Sequence, residues 1–309
     1  MKRFSLVCLL AGISLVPAFA QKSSPFAGRW DLLVTPSAPN TKQYPDWMEV
    51  APKDGAPAVR IQPRSGSAFY AKEFKEDGGK LNVQWANGTT TWELAVKDGK
   101  LTGTEKHNGK DFAALSGVRA PALNHEAPKA WTAPEPIFNG KDLTGWEPTD
   151  PAATNHWVVK GGELVNESKG ANLKTTRKFD DFKLHIEYNC PDDGNSGIYL
   201  RGRYEVQVEY EKVDANDKFH SIGAVYSMLA PVVELPRKPG TWETFDITLV
   251  GRRLTVVRDG VKTIDNQEIA GTTGGALDSN EAEPGPFYIQ GDHTGGMKYR
   301  NITIQVPKK

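Results

Sequence analysis

Phe182-Lys183-Leu184-His185-Ile186-Glu187-Tyr188 alternates apolar and polar side chains without a break. In an extended chain successive side chains point to opposite faces, so this segment offers one face to a core and the other to water. The same period recurs in Thr244-Phe245-Asp246-Ile247-Thr248-Leu249, in Leu254 to Val257 before the Asp259-Gly260 turn, and in Asn301 to Val306. No segment carries a helical period, and no β-α-β alternation is present. Several antiparallel strands without helices predict a two-sheet sandwich or jelly roll over residues 137–307.

The chain upstream is also strand-built. Gly28 to Val34, the alternating Val59 and Ile61, Leu81-Val83-Trp85 and Trp92-Leu94-Val96 are separated by turns such as Lys97-Asp98-Gly99-Lys100. That pattern predicts a small antiparallel sandwich or barrel over residues 24–125, followed by a Pro-rich linker at 126–136. Four of the eight tryptophans (Trp30, Trp47, Trp85, Trp92) lie in this first unit. They suit either a sugar-stacking face or core packing, and burial of tryptophan favours the core.

Composition narrows the function. The 309 residues carry 38 Lys+Arg against 38 Asp+Glu, a net charge of zero, so nothing draws the chain in bulk to nucleic acid or to anionic lipid. Lys2 and Arg3, the apolar run Phe4 to Val16, and Ala18-Phe19-Ala20 predict a secretory signal over residues 1–20. The run is too short to span a bilayer. The expectation is an exported protein, periplasmic or extracellular. Removal of the leader takes Cys8 with it and leaves Cys190 alone, so no internal disulfide forms and a packed strand residue is expected there. Phosphate-binding glycine loops, His-Glu-x-x-His, paired Cys-x-x-Cys and Gly-x-Ser-x-Gly are all absent from the sequence.

Two polar clusters stand out. In Tyr204-Glu205-Val206-Gln207-Val208-Glu209-Tyr210 the valines point one way and Glu205, Gln207 and Glu209 the other, each about 7 Å from the next. Just upstream, Asn195 to Arg203 reads as a second strand, with Tyr199 and Arg201 on its polar side. A solvated face with cross-strand ion pairs would look the same. Gln290-Gly291-Asp292-His293-Thr294-Gly295-Gly296 follows the apolar Phe287-Tyr288-Ile289 and reads as a loop that aims side chains from a strand end. Asp192-Asp193-Gly194-Asn195 lacks the spaced ligands of a calcium loop and reads as a turn. His185 and His220 show no partner in sequence.

Residues 137–306 resemble the bacterial family once called DUF1080. It is described as a 3-keto-disaccharide hydrolase domain and as a 3-keto-glucoside-1,2-lyase and 3-keto-2-hydroxy-glucal hydratase domain. The matching segments run in family order: Phe138 to Trp146, Trp157 to Leu164, Phe179 to Leu184, Gly194 to Arg201 with Tyr204-Glu205-Val206-Gln207, Gly240 to Asp246, Asp259-Gly260, and Gln290-Gly291-Asp292-His293 ending in Tyr299-Arg300-Asn301-Ile302. The resemblance implies a concanavalin A-like jelly roll acting on a small carbohydrate, a 3-keto-glucoside or disaccharide. It does not reach residues 24–125.

A C3 ketone acidifies the C2 hydrogen of a sugar. A base removes that hydrogen, the C1 oxygen leaves, and water added to the resulting 3-keto-2-hydroxy-glucal gives net hydrolysis. Such a site needs a base, an acid and an electrophile for the enolate oxygen. The resemblance, with side-chain chemistry, points to His293, Glu205 and Asp292 as catalytic groups. Arg201, Gln207, Asn195, Trp157 and Gln290 are the expected substrate contacts. Glu205, Gln207 and Asp292 are the expected oxygen ligands for a divalent metal ion such as calcium. Two other classes stay open: an ordinary retaining glycosidase, which needs two carboxylates about 5–5.5 Å apart, and a non-catalytic carbohydrate-binding protein.

Overall fold

A computed structural model describes residues 24–64, 66–212 and 217–308; the predicted leader lies outside them. Every regular element is a strand, and among the described residues no helix is long and apolar enough to cross a membrane.

The first nine strands form one continuous antiparallel sheet. In space they run Phe69–Tyr70, Ala56–Gln62, Tyr44–Lys53, Gly28–Pro36, Lys110–Arg119, Lys100–His107, Thr90–Lys97, Lys80–Trp85, Glu73–Asp77. The two edge strands are consecutive in the chain, with only Ala71 and Lys72 between them, and the sheet curls around one shared core. Of the alternatives the sequence left open, the barrel is the one formed. Inside lie Trp30, Leu32, Met48, Ile61, Val83, Trp92 and Leu101. The tryptophans serve packing here. Trp30 donates its indole N–H to Phe26 O at 2.8 Å, and Trp92 meets Trp85 edge-on at 5.1 Å.

The remaining strands form two layers. An eight-stranded sheet runs Trp157–Lys160, Glu163–Asn166, Lys298–Gln305, Phe182–Asn189, Trp242–Val250, Arg253–Arg258, Val261–Glu268, with Glu135–Pro136 pairing on Lys298–Gln305. A five-stranded sheet runs Trp146–Pro148, Leu173–Thr175, Tyr288–Ile289, Asn195–Leu200, Tyr204–Glu209. The apolar alternates Phe182, Leu184, Ile186 and Tyr188 meet Val206 and Val208 in a shared core, as a jelly-roll sandwich requires. Cys190 sits in that core, and burial pushes its thiol up to about 12, which makes it an inert packing residue.

The barrel and the sandwich are joined by more than the linker. Trp47 leaves the barrel wall and packs into the sandwich core. Its indole passes so close to Gly271 that a Cβ there would lie 2.1 Å from Nε1, so the contact requires glycine. Beside it, Arg252 and Glu281 pair with almost no exposure, and Tyr204 Oη donates to Glu281 at 2.6 Å. Asp31 of the barrel faces this pair. Burial, then the Glu281 charge, pushes its carboxyl up to about 9.

Candidate functional site

The strand Tyr204–Glu209 lies at the edge of the five-stranded sheet, and the segment 221–229 folds alongside it. Gln207 N donates to Ala224 O, Gly223 N to Gln207 O, and Tyr226 N to Glu205 O. With Val206 and Val208 committed to the core, the pleat turns Glu205, Gln207 and Glu209 toward one cavity of about 470 Å³. Asn195, Tyr199, Gln290 and His293 line it from neighbouring strands and the 290–296 loop. Gly66, Ser67, Glu211, Asp217, His220, Tyr226, Gly274 and Gly275 complete the wall.

Glu205 is 4 % exposed. Its Oε2 lies 2.8 Å from Tyr199 Oη, which is also 2.8 Å from Gly274 O. One hydroxyl proton cannot serve both acceptors. When Tyr199 donates to Gly274, a protonated Glu205 donates to Tyr199. Burial pushes Glu205 up to about 8; the Tyr199 hydrogen bond opposes this, and the charges of Glu209 and Asp292 add to it. Among the described residues no Lys or Arg pairs with it. Tyr199 is held by stacking on Tyr288, with ring centroids 3.8 Å apart and planes 13° from parallel. Glu209 is pushed up to about 7 by burial, against the pull of its hydrogen bond from Gln207.

Gly197 sits directly behind Glu205. A Cβ at Gly197 would lie 2.1 Å from Glu205 Oε1, a side-chain atom rather than backbone. Gly197→Ala should therefore swing the carboxylate out of place while the sheet still forms. The expected result is at least about a tenfold loss of turnover with an unchanged circular dichroism spectrum, since a misplacement of about 1 Å costs that much or more.

Three buried acceptors in this region have no hydrogen-bond partner: Gln207 Oε1, Glu209 Oε1 and Gln290 Oε1. All three residues line the cavity. Buried acceptors without donors are costly, and sugar hydroxyls or a hard cation would satisfy them.

The structure departs from the sequence expectations at three positions. Arg201 is fully buried away from the cavity, pairing with Asp180 at 2.9 Å and donating to Gly251 O. Its backbone, at φ 51°, has already entered the turn, which breaks the alternation that placed it on the polar face. Trp157 is 3 % exposed, donates to Ala171 O at 2.8 Å and packs on Tyr299, so it is a core residue rather than a stacking platform. Asp292 does not line the cavity. Oδ1 meets His293 Nδ1 at 2.9 Å and Oδ2 accepts from Asn172 at 3.3 Å, so its carboxylate holds the histidine. That contact raises the His293 imidazole and favours its cationic form. Burial works to raise Asp292, and the His293 and Asn172 contacts outweigh it, leaving the carboxyl lowered.

A separate group, His125, Asp180 and Asp181, brings its ligand atoms within 4.8 Å of one another and could hold a metal ion. Its members are also engaged within the protein. Asp180 pairs with Arg201, and Asp181 accepts from Gly251 N and meets His125.

Sequence reading missed Ser67, Asp217, His220, Tyr226 and the Gly274-Gly275 wall. The Asp217-x-x-His220 spacing was a local signal. Ser67 had none, because it reaches the cavity from 153 residues away.

The family model described as 3-keto-alpha-glucoside-1,2-lyase-like domain matches residues 133–305. Among solved structures, a protein of Parabacteroides distasonis ATCC 8503 described as a candidate glycosyl hydrolase is 27% identical. The match covers 58% of this chain and 92% of that one, with TM-score 0.47. A second from the same organism is 18% identical over 57% and 93%, also with TM-score 0.47. The carbohydrate binding module CBM66 from Bacillus subtilis is 14% identical over 52% and 96%, with TM-score 0.33. No curated protein matches the chain. The family match spans more than half of the chain and contains the strands and the 290–296 loop that build the cavity, and the chain belongs to the 3-keto-alpha-glucoside-1,2-lyase-like domain family of carbohydrate-active proteins.

Proposed function

We propose that the chain is an exported enzyme that cleaves the glycosidic bond of 3-keto-glucosides by removing the C2 hydrogen and eliminating the C1 oxygen, with hydration of the 3-keto-2-hydroxy-glucal completing a net hydrolysis. Residues 24–125 would be an accessory barrel domain, 126–136 the linker and 137–307 the catalytic domain. The observation that carries the reading is Glu205: a buried, cation-free carboxyl on the cavity wall, pushed up to about 8. Its conjugate base is far more basic than an ordinary carboxylate, as abstraction of a carbon-bound hydrogen next to a ketone demands.

In this reading Glu205 takes the C2 hydrogen. His293, held cationic by Asp292, donates a hydrogen bond to negative charge developing on the ketone oxygen. Gln207, Gln290 and Asn195 orient the sugar hydroxyls. Where a divalent cation is bound, Gln207 and Glu209, neighbours on the cavity wall with unpartnered oxygens, would hold it, and it would polarise the ketone. A retaining glycosidase fits poorly. Glu205 and Glu209 are four residues apart on one strand, about 13 Å by the strand rise, far beyond the separation that mechanism needs.

The test offers purified protein a 3-keto-glucoside and its unoxidised parent side by side, with and without chelator. The expected result is an ultraviolet-absorbing enone from the keto sugar alone. Equal cleavage of the parent would point to an ordinary glycosidase, and binding of both without turnover to a lectin.

A further inference from the structure

A second hydrogen-bonded array lines the same cavity. Ser67 Oγ lies 2.5 Å from His220 Nε2, and His220 Nδ1 lies 2.6 Å from Asp217 Oδ2. The carboxylate on Nδ1 settles the tautomer: Nδ1 keeps its hydrogen toward Asp217, and Nε2 exchanges a proton with Ser67 Oγ. The His220 ring packs edge-on against Tyr226 with centroids 4.6 Å apart. The other titratable groups around the cavity are Glu205, Glu209, Glu211 and His293.

Ser67 belongs to the barrel. It lies between the strands Ala56–Gln62 and Phe69–Tyr70, and this loop is pinned to the sandwich on both sides. Ala68 N donates to Ser227 Oγ at 2.8 Å, and Arg60 donates to Ser227 O at 2.7 Å. Such anchoring holds a hydroxyl at a fixed place, as a group that passes protons must be held.

We propose that Asp217, His220 and Ser67 form a proton relay to the glycosidic oxygen, so that the barrel supplies a catalytic residue for the reaction of the sandwich. The relay rests on the 3-keto-glycoside reading above. In elimination the electron pair of the C1–O bond goes to the leaving oxygen. Ser67 gives that oxygen its hydroxyl proton and takes one from the His220 imidazolium, which becomes neutral. In hydration, water bonds to C1 and passes a proton to Ser67, which returns one to His220 Nε2. Glu205, its proton exchanged with solvent between the two steps, protonates C2. One water is consumed, and every group ends as it began.

The experiment measures kcat/KM for 3-keto-glucosides whose leaving groups run from 4-nitrophenol to simple alcohols, in the full chain and in Ser67→Ala, Ser67→Thr and His220→Gln. A relay predicts a loss of about 100-fold for alcohols in Ser67→Ala and His220→Gln, and little loss for 4-nitrophenol, which leaves without a proton. Ser67→Thr should restore most of the alcohol rate. A loss equal across the series, or no loss, overturns the relay while leaving the parent reading intact. Stable labelling of Ser67 by a fluorophosphonate would instead mark it as a nucleophile and overturn the relay. A wild-type protein inactive on every 3-keto-glucoside overturns the parent reading and the relay with it.

Discussion

Glu205→Gln should lower kcat/KM on a 3-keto-glucoside by about 10²–10⁴-fold, the range expected for loss of a general base. Glutamine keeps the shape and can still accept the Tyr199 hydrogen bond, so the loss reports proton transfer rather than collapse of the wall. The pH dependence has a definite sign. The base works ionised while the imidazoliums of His293 and His220 work protonated, so wild-type kcat/KM should climb as pH rises toward about 8 and fall again at higher pH. Stability should move the other way. An ordinary Glu ionises near 4.5, so between 4.5 and about 8 the native state holds a proton that the unfolded chain has released. Raising pH through that window destabilises the fold. Glu205→Gln should therefore raise the thermal midpoint at pH 9 and leave it nearly unchanged at pH 4. A variant with near wild-type turnover, or one whose midpoint falls at pH 9, would remove Glu205 from the role given to it.

Glu281→Ala should have the largest effect on stability. Glu281 receives Arg252 Nε at 3.1 Å and Tyr204 Oη at 2.6 Å, with both charged side chains almost fully buried. Removing the carboxylate strands a buried guanidinium between barrel and sandwich, which costs about 3–5 kcal/mol. At roughly 2–4 °C per kcal/mol for a chain this large, the thermal midpoint should drop by about 6–20 °C. Replacing the Arg252–Glu281 pair together by Met and Leu should recover much of the loss, because the desolvation cost disappears with the charges. A single-variant drop of less than about 2 °C would show that Arg252 finds water or another partner.

Strand periodicity made the fold legible because each sheet buries one face. Phe182, Leu184, Ile186 and Tyr188 need a partner layer, and Val206 and Val208 supply it. The same period placed Glu205, Gln207 and Glu209 on one cavity wall. It failed at Arg201, where the chain turns and alternation no longer governs direction. It also failed at Trp157, since aromatic character does not distinguish stacking on a sugar from stacking on Tyr299. Asp292 beside His293 was visible as a pair, but the sequence did not show that Asn172 binds its second carboxylate oxygen. The barrel wall of the cavity was invisible. Ser67 meets His220 through the packing of two units, and no local pattern encodes a contact between segments so far apart.

The central claim, that the C2 hydrogen leaves before the glycosidic bond is cleaved, is tested most directly by substituting deuterium at C2 of a 3-keto-glucoside and measuring kcat/KM. The account predicts a primary isotope effect in the wild-type protein, with solvent hydrogen appearing at C2 of the product. Cleavage at an unchanged rate, with the C2 deuterium retained in the released sugar, would contradict it.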